Sequence, residues 1–404
     1  MKIIYIHQYF NTPNMPGSTR SYEFAKSLIA EGAKVHMITS NWQNKSNENY
    51  SMLEGINIYW APIKYSNEMG FFNRIKAFLS FVLFVFKVGY KIECDIVIAS
   101  STPLTVGVPA LFFKIFKKVK LIFEVRDLWP QLPIATGDLK SKILISFSKY
   151  LERKIYYYSD EIIVLSDGMK TEIEKVISLK DKINVITNLC DNNNFRINPK
   201  FGIDFRRQYL DIKDEPLIVY AGAFGKINNA IYLIEIANES LQQNSKLKFL
   251  LVGGGFQKKA ILQKATALGL LNKNVFLKDY LPKNKLPNVL SAATIVSSIF
   301  NNVIEMENNS ANKFFDGLAA GKPIMINYGG WQSDLLKKTG AGFIIPNNNP
   351  KEASDIINDL INNQKSINSM KANSKKLSES FTITLNCKKF INIVKKVYNE
   401  KKNI

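Results

Sequence analysis

The stretch NNSANKFFDGLAAGKPIMINYGG, Asn308–Gly330, reads as a polar loop, a short helix, a glycine stop and a strand. Phe314 and Leu318 are four residues apart, as are Phe315 and Ala319, so one helix face is apolar and buried. Gly321 stops the helix and Pro323 opens the strand. Ser310 reads as the N-cap, leaving the amides of Ala311, Asn312 and Lys313 pointing out of the helix start. That end carries partial positive charge and suits a phosphate; Lys313 adds a formal charge. Asp316, four residues past Asn312, falls on the same face. Amides for a diphosphate and a carboxylate for ribose hydroxyls would suit a sugar nucleotide. An ordinary helix of an α/β domain carries the same outline, so this segment leaves both readings open.

Outward from it, short apolar strands alternate with helices. Lys2–His7, Val35–Thr39, Ile56–Tyr59, Ile96–Ala99, Leu121–Phe123, Ile162–Leu165 and Asn184–Ile186 read as strands in the first half. A polar, punctuated stretch runs from Asn188 to Glu215, as an interdomain connection would. The pattern then restarts with Leu217–Ala221, Lys248–Val252, Val275–Leu277, Ile295–Ile299 and Pro323–Asn327. Apolar strands separated by helices predict parallel sheets covered on both faces, with ligands at the strand C-terminal ends. The expected fold is therefore α/β, with two Rossmann-like doubly wound domains in series. Residues 1–200 and 201–385 are the expected domains, with 386–404 a C-terminal helix. At 404 residues the chain is long enough for two cores.

Three glycine-containing loops follow strands: Gly17 early, Gly222/Gly225 and Gly253–Gly255 later. Each lets backbone approach a ligand closely. None matches a dinucleotide fingerprint or a P-loop. Lys226 follows the second loop and is placed to meet a diphosphate. Tyr280 follows a strand and offers a face for a nucleobase, or a partly buried packing surface. At the end of a first-domain strand, LIFEVRDLWP clusters Glu124, Arg126 and Asp127. Charges there are costly unless exposed or functional. Arg126 would hold a phosphate or developing negative charge and Asp127 would orient it or accept a proton; the alternative is a pair bracing the sheet edge. His7 ends its strand and is a candidate for the same end of the sheet, whereas His36 reads as structural.

The chain carries 54 Lys and Arg against 34 Asp and Glu, a formal +20. That balance favours anionic partners, although a solvated basic surface explains part of it. Residues 64–154 hold 15 basic and 7 acidic residues, and this region equals the excess of the whole first half. The same region carries the most apolar run, Ala77–Tyr90, too short to span a bilayer. A second Phe-rich basic cluster, LFFKIFKKVK, follows at 111–120. Region 71–120 thus suggests docking on an anionic membrane surface, against the alternative of a core helix with lysines at its ends. Cys94, Cys190 and Cys387 show no metal or redox spacing, and no signal peptide is evident, so a cytoplasmic protein is expected. No Asp-x-Asp pair or His/Cys cluster points to a metal, so charge stabilisation by Lys, Arg and helix amides is expected instead.

Together, PGSTRSYEFAKSL, FEVRDLWP and NKFFDGLAAGKPIMINYGGW resemble the glycosyltransferase family 4 enzymes of the GT-B fold. The set is most similar to the WbuB-like subgroup of O-antigen and capsule biosynthesis, one member of which is assigned as an L-fucosamine transferase. The resemblance implies a UDP-sugar donor held mostly by the second domain, such as UDP-N-acetyl-L-fucosamine. It implies a polyprenyl-diphosphate-linked saccharide acceptor on the first domain, where His7, Ser18 and Arg20 line the acceptor side. It further implies transfer with retention, no cofactor or required metal, and a C-terminal helix returning to the first domain. Arg126 stands where many relatives carry His; Asn308 and Asp316 stand where relatives carry a Glu pair; Ala223 stands where an Arg is usual. Two rival readings are a UDP-sugar 2-epimerase of the same fold and a basic nucleic-acid-binding protein. The second lacks a recognisable binding motif, so nucleic acid is not an expected partner.

Overall fold

The computed structural model describes residues 1–42, 48–66, 69–195, 198–210 and 212–402. The chain divides into two compact units. The first comprises Met1–Thr12, Ser18–Thr187 and Thr384–Ile404; the second comprises Pro13–Gly17 and Asn188–Ile383. The division thus falls at Thr187–Asn188 rather than at residue 200. The polar stretch is anchored in the second unit from its start: Asn188 Nδ2 donates to the Ser310 carbonyl at 2.5 Å and the Cys190 amide to that of Phe381 at 2.8 Å.

In the first unit the strands are β1 (Lys2–Ile6), β2 (Lys34–Ser40), β3 (Tyr50–Leu53), β4 (Ile56–Ala61), β5 (Ile96–Ser100), β6 (Lys120–Val125), β7 (Glu161–Val164) and β8 (Ile183–Val185). They form one sheet in the order β3-β4-β2-β1-β5-β6-β7-β8, parallel except for the β3–β4 pair. Ile4 sits between His36 and Val97, and the whole of β5 is buried, as expected for strands covered on both faces. The sequence pattern did not mark β3: YSML is an edge strand that buries none of its residues fully.

The helices of this unit are α1 (Arg20–Ala30), α2 (Phe71–Gly89), α3 (Gly107–Phe116), α4 (Gln131–Ala135), α5 (Lys142–Tyr158) and α6 (Asp167–Val176). Of these, α2 packs on β2 and β4, and α3 on β5 and β6; α3 also touches both α2 and α5. The C-terminal helix Ile383–Lys402 belongs to this unit as well. Phe390 stacks on Phe24 with ring centroids 4.1 Å apart, Lys395 pairs with Glu31 at 2.5 Å and Lys396 with Glu161 at 2.5 Å.

The second unit holds β9 (Leu217–Ala221), β10 (Lys248–Val252), β11 (Val275–Lys278), β12 (Ile295–Ser298), β13 (Ile324–Ile326) and β14 (Gly342–Ile344). Their order is β11-β10-β9-β12-β13-β14, parallel throughout. The last strand was not legible in the sequence because three half-buried residues, GFI, give no periodicity. Around the sheet lie α7 (Pro199–Tyr209), α8 (Ala230–Gln242), α9 (Lys258–Ala267), α10 (Leu286–Ala292), α11 (Asn312–Ala319), α12 (Trp331–Thr339), α13 (Pro350–Ile361) and α14 (Gln364–Ser378).

Each sheet has a point where the strand order reverses. In the first, β1 has β2 on one side and β5 on the other; in the second, β9 lies between β10 and β12. The crevice beyond the strand C-termini at such a point is where doubly wound sheets bind ligands.

Candidate functional site

In the second unit this crevice is built around Lys313. Its side chain leaves the first turn of α11 and is half-buried, and its Nζ donates to Asn228 Oδ1 at 2.9 Å and to the Tyr220 hydroxyl at 3.3 Å. The ammonium also lies 4.8 Å from the Tyr220 ring centroid and 5.0 Å from that of Phe300. Tyr220 is on β9, Asn228 follows it, and Phe300 follows β12, so the lysine sits at the order reversal. Gly222 makes room for its stem: a Cβ there would stand 3.0 Å from Lys313 Cδ. Among the described residues no carboxylate pairs with it. Burial alone pushes its pKa down to about 7.

The start of α11 differs from the sequence reading. The N-cap is Ala311, not Ser310, and Ala311 makes no side-chain capping bond. Ser310 is drawn inward: its carbonyl accepts from Asn188, and its hydroxyl is buried without a partner. Asn309 is held by Trp331, whose indole N–H donates to its carbonyl at 2.8 Å. Asn312 and Lys313 do open the helix, whose first amides point outward as a general property of helix starts.

Asp316 is committed to a partner the sequence did not reveal. Lys283 Nζ lies 2.5 and 2.6 Å from its two oxygens. A ribose hydroxyl at Asp316 would share the carboxylate with that ammonium. Lys283 also faces the Phe195 ring at 5.1 Å, and its backbone amide donates to the Met15 carbonyl. The segment holding Gly17 is thereby tied to this unit; Gly17 itself has a φ of 115°.

Two of the glycine loops prove to be packed on each other. A Cβ on Gly253 would come 1.9 Å from the Gly222 carbonyl oxygen, and one on Gly254 would come 3.0 Å from the Tyr280 ring. Their lack of a side chain therefore serves loop-to-loop contact and the seat of Tyr280. Tyr280 donates to the Gly254 carbonyl at 2.6 Å and stays 44% exposed, which leaves ring surface open to solvent. Gly225 precedes a short 3₁₀ turn, Lys226–Asn228, that presents Asn228 to Lys313. The Lys226 ammonium lies 5.2 Å from the Phe256 ring centroid.

The corresponding crevice of the first unit contains a closed charge network. Arg20 is 1% exposed, and its Nε donates to Glu124 Oε1 at 2.7 Å. Its other nitrogens donate to the carbonyls of Thr187 and Ile186. Arg20 is therefore a brace between α1, the end of β6 and the chain beyond β8; at 1% exposure it presents almost no surface to an acceptor substrate, contrary to the sequence expectation. Ser18 accepts from the Arg20 amide at 3.4 Å through its hydroxyl. Glu124 also receives Ser100 Oγ at 2.5 Å. Burial pushes its pKa up, but Arg20, Arg126 and Ser100 outweigh this and hold it below the usual range.

Arg126 is half-buried, with Nη1 3.2 Å from His7 Nε2. Arginine is always a donor, so Nε2 accepts and Nδ1 carries the His7 proton. Burial and then the Arg126 charge depress the His7 pKa well below normal, and its Nδ1 is buried without a partner. Asp127 receives Thr102 Oγ1 at 2.7 Å. His36 is a strand residue bonded to the Tyr59 hydroxyl at 3.1 Å, as its position suggested. Among the described residues no group of three His, Cys, Asp or Glu side chains could hold a metal ion.

Two family models match this architecture half by half. The model described as Glycosyltransferase Family 4 matches residues 17–193, and that described as Glycosyl transferases group 1 matches residues 203–377. The chain is a glycosyltransferase of family 4. Its fold is shared by a sucrose-phosphate synthase from Thermosynechococcus elongatus, at 15% identity and a TM-score of 0.80, covering 99% of each chain. It is also shared by HepE of Anabaena in complex with UDP-glucose, at 15% identity and a TM-score of 0.71, covering 98% of this chain and 100% of that one. A third structure is WaaG, described as a glycosyltransferase involved in lipopolysaccharide biosynthesis, at 14% identity and a TM-score of 0.69, covering 97% and 99%. These likenesses define the GT-B fold. No curated protein sequence matches the chain.

Proposed function

We propose that the crevice beside β9 and β12 takes the diphosphate of a UDP-sugar, and that the enzyme transfers the sugar with retention to a lipid-linked saccharide. The observation that carries this reading is Lys313, a half-buried ammonium facing only neutral groups at the strand-order reversal. Such a cation is unstable by itself and is satisfied by an incoming anion. Lys226 and the first amides of α11 add to that field. Tyr280 supplies the stacking face for the base, and Asp316 receives a ribose hydroxyl beside Lys283. The HepE structure, which shares the fold, is described with UDP-glucose.

In the reaction, the bond between the anomeric carbon and the β-phosphate oxygen breaks. The acceptor oxygen bonds to the same face of that carbon, its proton passes to a phosphate oxygen, and UDP leaves. The protein's part is to neutralise the departing diphosphate, without a metal. On the first unit we assign His7 and Ser18 to the acceptor, and Arg126 with Asp127 to charge stabilisation. The donor we take to be an N-acetylated 6-deoxyhexose such as UDP-N-acetyl-L-fucosamine, and the product a WbuB-type O-antigen or capsule intermediate; the motifs FEVRDLWP and NKFFDGLAAGKP support this. A polyprenyl-diphosphate acceptor places the work at the anionic inner face of a cytoplasmic membrane. Among the described residues no helix is long and apolar enough to cross one.

A thermal-shift panel of UDP-, GDP- and dTDP-sugars tests the donor site. UDP-sugars should raise the melting temperature of the wild type and leave Lys313→Met unmoved. Silence of the wild type across the panel, or an equal shift in both proteins, overturns the assignment.

A further inference from the structure

Of the 23 large hydrophobic side chains exposed among the described residues, 11 lie on α2, α3 and α5 or at their ends. The three helices are neighbours, α3 touching each of the others. On α2 the outward stripe runs Phe72, Lys76, Leu79, Leu83, Lys87 and on to Tyr90, spaced three or four residues apart as one helix face requires. Phe112 of α3 joins the two surfaces, its ring centroid 5.1 Å from that of Phe86 and 4.6 Å from that of Phe116. The third helix was not marked by the sequence reading. Along α5, Ile143, Phe147, Tyr150, Lys154 and Tyr157 make a continuous stripe; Ile143 is 80% exposed and Phe147 60%. Lys154 lies between two of its aromatic rings, 5.4 Å from Tyr150 and 5.8 Å from Tyr158.

The charge on these helices has one sign. Neither α2 nor α3 contains an acidic residue, and the single one on α5, Glu152, is buried and 4% exposed. Lys142, Lys149 and Arg153 are exposed beside the α5 stripe. Bulky apolar side chains interleaved with lysine and arginine, and no outward carboxylate, complement an interface of acyl chains beneath phosphate headgroups. A water-facing helix would mix both charge signs and bury its Phe and Tyr.

We infer that α2, α3 and α5 form one docking platform that lies on an anionic lipid bilayer, with the α5 stripe Ile143–Tyr157 inserted among the headgroups. The inference rests on the reading that the enzyme works at a membrane surface and names the surface by which it does so. Its test is flotation of the full-length protein with vesicles of phosphatidylcholine alone or with 30% (~one lipid in three) phosphatidylglycerol. The proteins compared are wild type, Phe147→Ser/Tyr150→Ser and Lys149→Glu/Arg153→Glu. All four positions are exposed, and unchanged melting curves and UDP-sugar shifts will show that the variants are folded and bind donor. Wild type should float with anionic vesicles, and each double variant should lose at least about tenfold in partitioning, the charge variant most at low salt. If wild type fails to bind anionic vesicles, the membrane-surface reading itself falls. If it binds and the α5 variants bind equally, that reading stands and the platform is overturned. If the wild type is instead a dimer that the Phe147→Ser/Tyr150→Ser change dissociates by light scattering, a second copy covers this face and the lipid assignment is wrong.

Discussion

Arg20 is a buried cation and Lys313 a half-buried one, each at the strand-order reversal of a parallel sheet, yet they do opposite things. Arg20 meets a carboxylate at 2.7 Å and two backbone carbonyls, so its charge is answered within the fold. Lys313 meets an amide oxygen, a hydroxyl and two rings, so its charge is left for something else to answer. A buried charge with its partner is architecture; a half-buried charge without one marks where an anion belongs. Nothing in their local sequence tells them apart, since each is a basic residue near the start of a helix.

The largest expected effect is on the paired side. Arg20→Met leaves Glu124 buried and unanswered except by Arg126 and Ser100, and should cost about 3–5 kcal/mol of stability in chemical denaturation. The double change Arg20→Met/Glu124→Leu should recover much of this. If Arg20→Met is as stable as wild type, the brace is wrongly identified.

On the unpaired side the cost should appear in function. Lys313→Met should lower kcat/KM with the donor by about 10²–10³-fold while the melting temperature holds or rises. A variant that loses stability and keeps turnover would reverse the comparison.

The two sites should also differ in their pH response. Lys313 has a folded pKa of about 7, below its ordinary 10.5. Between those values the unfolded chain binds one more proton, so the stability of the ligand-free protein should rise with pH there, by at most about 1.4 kcal/mol per unit. Lys313→Met should remove that contribution, which urea denaturation at pH 7, 8 and 9 will resolve. Below about pH 6.5 the neutral, buried His7 acts in the same sense, because acid must charge the unfolded chain first.

The smallest effect concerns Glu152, a buried carboxyl raised to about 7, chiefly by desolvation. Its folded state holds the proton longer than the unfolded state, so its contribution falls as pH rises from about 4.5 to 7. Glu152→Gln should flatten stability over that window and leave donor binding unchanged.

Most of the strand positions were legible because parallel strands covered on both faces are short apolar runs between helices, as in IIYI and LIVYA. The edge strands β3 and β14 were not, because an edge need not be apolar. Within the site, Lys313 was legible from its place at a helix start. Its surroundings were not: Tyr220, Asn228 and Phe300 are distant in sequence and show no motif. The same holds for Lys283 on Asp316, 33 residues away, and for Glu124 on Arg20, 104 residues away.

By itself, then, the sequence determined the class of fold, the basic character of the first half and the residue types available for binding an anion. Periodicity and composition are local properties, and local properties survive in a string of letters. Which charges are answered, which glycines make room for neighbouring loops and which helix faces stay uncovered were decided only by the tertiary structure. Those depend on pairs of residues that the folding of each sheet brings together, and burial makes each such pairing count for several times what it would in water.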